Sequence, residues 1–115
     1  MINPIDEISN FLTIDQAAEQ LAISPGKVKR LIEEHNLIAL RRDGKLMIPA
    51  ELIIDGEPLP SLRGTIILLL DSGYTLDEAI SWLYTPSDVL GSTPIASLLQ
   101  GRKAPVRRLA QMVDL

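Results

Sequence analysis

The sequence predicts a mainly α-helical chain with a small β-hairpin wing, and three observations carry that prediction. Helix-start signals stand close together at Thr13 and Ser24, so a tight turn must join two short helices. Asp43-Gly44 follows between two short apolar runs, a strong two-residue hairpin signal because both positions accept positive φ. Past Pro60 the chain returns to helix caps and apolar stripes. Helix, turn, helix, hairpin is the order of a winged helix-turn-helix, here followed by a short helical C-terminal domain.

Thr13 with Gln16 forms a capping box, and the helix it opens places Ile14, Ala17, Ala18 and Leu21 on one apolar face. Ser24 can cap a second helix, with Pro25 at the first position, where no intrahelical donor is lost. Over residues 25–35 the spacing puts Val28, Leu31, Ile32 and His35 inward, leaving Lys27, Lys29, Arg30, Glu33 and Glu34 on the outer arc. Arg30 points nearly opposite the core. Asn36, which tolerates the left-handed conformation, is expected to end this helix.

The hairpin is expected over residues 38–49, from Ile38-Ala39-Leu40 to Leu46-Met47-Ile48 and Pro49, with Arg41, Arg42 and Lys45 close together at its tip. Long cations on such a ribbon stay solvated and are well placed to meet phosphates. The stretch 50–61 reads as a connector punctuated by Asp55-Gly56-Glu57-Pro58 and Pro60, with Ile53-Ile54 at most a final edge strand. A boundary near residue 58 divides the chain into 1–58 and 59–115. Ser61 is expected to cap a helix from Leu62 to Asp71, apolar on every side at Ile66–Leu70. Thr75 with Glu78 makes the next capping box, Thr93-Pro94 starts another helix, and Pro105 opens the last one.

The chain has 115 residues, 46% of them hydrophobic, enough for one compact domain or two small ones. It has no cysteine, which excludes a disulfide framework and a thiolate metal site and fits a reducing cytoplasm. No leader pattern precedes the first helix, and the apolar run Ile66–Leu70 is far below the roughly 20 residues of a membrane span. One histidine cannot assemble a Ser-His-Asp set or a metal pair, and no glycine-rich phosphate loop is present, so no catalytic residue, metal or cofactor is expected. The acids Asp77-Glu78 are explained as helix-start charges, and His35 near a helix end as a packing residue or a charge complementing the helix dipole, with no catalytic role.

Net charge is −4, against indiscriminate polyanion binding. Yet between Lys27 and Lys45 six basic residues meet only Glu33, Glu34 and Asp43, six minus three giving a local +3. A basic surface on an acidic body suits modest, salt-sensitive DNA binding.

Leu12-Thr13-Ile14-Asp15-Gln16-Ala17-Ala18, Ile23-Ser24-Pro25-Gly26-Lys27-Val28, Arg30-Leu31-Ile32 and Ile48-Pro49 resemble the excisionase and MerR-type winged helix-turn-helix. Leu62 to Pro86, with Gly73-Tyr74 and Trp82-Leu83-Tyr84-Thr85-Pro86, is similar to the small mycobacterial and corynebacterial DNA-binding protein family, which joins such a winged domain to a helical C-terminal domain. These likenesses imply a non-enzymatic DNA binder of the actinobacterial cytoplasm, either a transcriptional regulator or a nucleoid-type protein. Trp82-Leu83 to Thr85-Pro86, Leu90-Gly91, Thr93-Pro94-Ile95, Leu98-Leu99 and Gly101 look like the C-terminal region of Xre and ParS-type antitoxins, which binds a partner protein.

The expectation is therefore that helix 25–35 enters the major groove of double-stranded DNA while hairpin 38–49 rides the backbone. Ser24, Lys27 and Arg30 are the base or near-base candidates, and Arg30 could hold guanine through two hydrogen bonds. Arg41, Arg42 and Lys45 supply register and affinity through phosphates, and Lys29 completes the DNA-binding set. Arg102, Lys103, Arg107 and Arg108 form a second basic patch, read as a solvated helix face in preference to another contact. Trp82 and Tyr84 are spaced for core packing. The C-terminal helices are expected to pack, to form a homodimer or to hold a protein partner. The alternative function is an antitoxin-like or adaptor module acting through those helices, and an apolar groove beside Trp82 and Leu98 would favour it.

Overall fold

A computed structural model describes Ile5 and residues 8–113. The chain is mainly helical with a small antiparallel sheet, and it separates into two compact units, residues 8–59 on the one hand and residues 60–113 with Ile5 on the other.

In the first unit β1 (Phe11–Thr13) leads directly into α1 (Ile14–Leu21). Both halves of the capping box at this junction are made: Thr13 Oγ1 accepts from the Gln16 amide at 3.1 Å, and Gln16 Oε1 accepts from the Thr13 amide at 2.8 Å. Ala22 turns the chain in the left-handed conformation, φ 57°, and the Ile23 amide reaches back to the Ala18 carbonyl at 3.1 Å. Then α2 (Pro25–Glu33) starts with Ser24 as its cap. β2 (Leu40–Arg42) and β3 (Lys45–Pro49) make the hairpin, and β1 adds to its other side, giving strand order β1-β3-β2 with Leu12 opposite Ile48 and Leu40 opposite Met47. Ala17, Ala18, Val28, Leu37, Ile38, Ile48, Leu52 and Leu59 are buried here.

Three expectations for this unit are corrected. The second helix ends at Glu33, and the left-handed residue that closes it is His35 (φ 67°), not Asn36. Histidine is among the residues enriched in that region, and with His35 there the Asn36 and Leu37 amides both fold back on the Leu31 carbonyl, at 2.8 and 3.3 Å. The hairpin strands begin at Leu40, since Leu37 and Ile38 serve as core side chains ahead of the ladder. The connector holds a second hairpin, β4 (Ile53–Ile54) with β5 (Glu57–Pro58), turned by Asp55 and Gly56 at φ 50° and 79°.

The second unit has four helices: α3 (Leu62–Asp71), α4 (Leu76–Leu83), α5 (Pro94–Leu99) and α6 (Lys103–Gln111). Thr75 and Glu78 form the expected capping box at 3.1 and 2.9 Å, and Thr93 Oγ1 caps the Ala96 amide at 3.1 Å. Leu69, Ala79 and Ala110 form a closed cluster with Leu68, Tyr74, Trp82 and Val113 packed against it. Tyr84 is buried and Trp82 half-buried.

Two helix starts differ from expectation. Ser61 occupies the cap position but is left-handed, φ 72°, and its side chain caps nothing; its carbonyl instead accepts from the Thr65 amide at 3.2 Å and the Thr65 hydroxyl at 2.9 Å. The last helix begins at Lys103, two residues before Pro105. Proline is tolerated there because the amides of a first helical turn have no intrahelical acceptor to lose.

Candidate nucleic-acid interface

The local sequence fixes which face α2 presents. Pro25 sets the entry, the Ser24 hydroxyl accepts from the Lys27 amide at 3.3 Å, and Val28 is driven fully into the core. At about 100° per residue, burying Val28 sends Gly26 and Arg30 outward, each about 160° away, with Lys27 and Lys29 flanking them. All four are exposed, as is Ser24. The Ser24 oxygen accepts one hydrogen bond in the cap, which leaves its hydroxyl proton and a second lone pair to offer outward. The face thus carries three solvated cations around the first two turns of a helix whose free amides add a partial positive charge.

The wing tip is held by Asp43 and Gly44 at φ 51° and 78°. Its three cations do not act as one cluster. Arg42 stands opposite Lys45 and Arg41 opposite Leu46, so the two-residue alternation of a strand puts Arg42 and Lys45 on one face of the ribbon and Arg41 on the other. The Arg41 guanidinium donates to the Gly44 carbonyl at 3.3 Å, folding back over the turn. The Arg42 guanidinium lies 5.2 Å from the centre of the Phe11 ring, a cation–π contact that fixes its direction while leaving its charge in place. Phe11 is therefore a supporting residue that the sequence reading passed over; the signal was the short β-prone run Phe11-Leu12-Thr13 ahead of the cap.

Basic charge is confined to one part of this unit. All six Lys and Arg of residues 8–59 belong to α2 or the first hairpin. Of the exposed acids, Asp15 and Glu19 lie on α1, Asp55 and Glu57 on the second hairpin and Glu51 ahead of it, while Glu33 and Glu34 stand at the end of α2 and Asp43 at the wing turn. A Cβ on Gly56 would sit 3.5 Å from the Gln20 carbonyl, so that acidic turn rests beside the end of α1. An anionic polymer approaching this unit is attracted to α2 and the wing and discouraged elsewhere.

In the second unit Arg102, Lys103, Arg107 and Arg108 are exposed. Arg107 crosses α3, one guanidinium nitrogen lying 3.0 Å from where a Cβ on Gly64 would be. An apolar groove of about 400 Å³ is lined by Trp82, Pro86, Pro94, Leu109, Met112 and Val113, with Thr85 and Ser87. Leu98 is buried and takes no part in that lining. Among the described residues no helix is long and apolar enough to cross a membrane, and no group of three or more His, Asp or Glu could hold a metal ion.

Residues 4–53 match the family described as "DNA-binding protein Rv2175c, wHTH domain", and residues 59–113 match "Rv2175c C-terminal domain of unknown function". A curated relative, the DNA-binding protein Rv2175c of Mycobacterium tuberculosis (strain ATCC 25618 / H37Rv), is 35% identical over 81 residues, which cover 70% of this chain and 56% of the relative. The chain thus spans little more than half the length of that relative. The NMR structure of Rv2175c superposes with a TM-score of 0.80 at 28% identity, over 90% of this chain and 80% of that one.

Proposed function

The chain belongs to the Rv2175c family, both of whose domains it matches in order, and we propose that it is a DNA-binding protein that acts through α2 and the wing. The observation that carries this reading is the confinement of every cation of residues 8–59 to those two elements. The name of the mycobacterial relative supports it. In this reading residues 1–58 form the DNA-binding domain and 59–115 serve packing, oligomerisation or partner binding.

The first two turns of α2 enter the major groove. Arg30, outward and opposite Val28, reads a base edge, with Lys27 and the Ser24 hydroxyl beside it. Lys29 and the wing residues Arg41, Arg42 and Lys45 contact phosphates and set register without reading sequence. One short helix spans few base pairs, so a homodimer or a partner held by the C-terminal helices supplements its specificity. The protein acts in the cytoplasm as a regulator or nucleoid-type binder, and catalysis forms no part of the reading.

The test is a fluorescence-anisotropy titration of the full chain with a mixed-sequence duplex at several salt concentrations. Binding should weaken linearly in log–log form, with a slope of about −0.9 per phosphate contacted. Absence of binding at low salt overturns the proposal. A second reading, a protein-interaction module, is favoured by the apolar groove beside Trp82, where Met112 is 76% exposed. Selection of bound genomic fragments separates the two, since an interaction module enriches none.

A further inference from the structure

Five of the seven glycines adopt positive φ, where side chains are strained, which leaves Gly26 and Gly64 to be explained otherwise. Gly64 has a reason inside the fold, because the Arg107 guanidinium occupies the space a side chain would take. Gly26 has none. It lies in the first turn of α2 with ordinary helical φ, and the nearest atom to a Cβ built there is the Ser24 oxygen at 4.0 Å, an ordinary contact. Glycine within a helix is destabilising relative to alanine. A side chain at this position would disturb no neighbour, so the fold gains nothing from its absence.

What Gly26 does have is position. It sits one turn before Arg30 on the same outward face, between the exposed Lys27 and Lys29. A residue without a side chain at the centre of a cationic helix face permits backbone to approach a surface more closely than any other residue would. We propose that Gly26 is a positioning residue for DNA: its bare Cα lets the start of α2 seat deeply enough in the groove for Arg30 to reach base edges. The inference rests on the DNA-binding reading above and adds a residue to it that touches no base through a side chain. It also accounts for a helix-weakening residue in an otherwise well-capped helix.

The test uses the full chain with Gly26→Ala and Gly26→Leu, both good helix formers. Each is titrated with the duplex most enriched in selection and with a mixed-sequence duplex, and its thermal unfolding is followed by circular dichroism. Affinity for the enriched duplex should fall by at least about fivefold for Ala and further for Leu, the range that follows from losing a bidentate base contact. Affinity for mixed-sequence DNA should fall less, and the unfolding temperature should stay level or rise. Variants that bind the enriched duplex as the parent does overturn the inference while leaving DNA binding intact. A lowered unfolding temperature in both variants overturns it too, by making Gly26 a residue of the fold. A parent chain that binds neither duplex removes the DNA reading, and this inference with it.

Discussion

Leu69→Ala should unfold the helical unit at markedly lower denaturant without directly touching the proposed DNA face. Leu69 is fully buried, and two of the residues closing around it are Ala79 and Ala110, also fully buried. Removing its three outer carbons forfeits about 2.4 kcal/mol of transfer free energy at about 0.8 per methylene. The alanines have no side chain that could swing into the void, so only shifts of Leu68, Tyr74, Trp82 or Val113 can shrink it, and part of the space persists. A residual cavity of roughly 60 Å³ adds about 1.5 kcal/mol, for a loss near 4 kcal/mol. Trp82, the only tryptophan, packs against the same cluster, so its fluorescence reports this unit directly during urea unfolding. A loss below about 1.5 kcal/mol would mean that the cluster collapses freely and is not rigidly packed.

Replacing Arg41, Arg42 and Lys45 together by alanine should weaken binding to every duplex and flatten the log–log salt slope by about 0.9 for each lost phosphate contact; an unchanged slope removes the wing from the interface. Because Arg41 lies on the opposite ribbon face from Arg42 and Lys45, Arg41→Ala and the Arg42/Lys45 pair should contribute separately, and the sum of their slope changes checks this. Arg30→Ala should relax preference at one position of a selected site by about 1 to 3 kcal/mol with the fold intact, whereas a uniform loss across sequences assigns Arg30 to phosphate. Ala22→Gly should stabilise the first unit: relieving a left-handed alanine returns about 1 to 2 kcal/mol, and the added freedom of the unfolded chain takes back about 0.4 to 1. A lower unfolding temperature for that variant contradicts the reading of the Ala22 turn.

The elements most legible in the sequence were those with a local, chemically specific signal. Thr13 with Gln16 and Thr75 with Glu78 form the hydrogen bonds their spacing predicts, and Asp43-Gly44 turns the hairpin at positive φ. The misses share a physical cause, namely that several residues could serve and tertiary packing chose. His35 and Asn36 both tolerate the left-handed conformation, and the core demand for Leu37 and Ile38 decided between them. Ser61 is a fine cap residue by composition, yet the chain enters α3 from a turn that points its carbonyl to Thr65 instead. Asp55-Gly56 carries the same dipeptide as the wing but was hidden by strands of only two residues. At the candidate interface the identity of the cations was readable, whereas the division of Arg41 from Arg42 depends on register, which one sequence does not state.

The most direct test of the central claim is a two-dimensional NMR titration of the isotopically labelled full chain with duplex DNA. Amide shifts should concentrate at Ser24 to Arg30 and at Arg41 to Lys45, and those of α3 to α6 should stay near their free positions. Shifts centred on Arg102 to Arg108, with the amides of α2 unmoved, would contradict the account and place the DNA site in the helical unit.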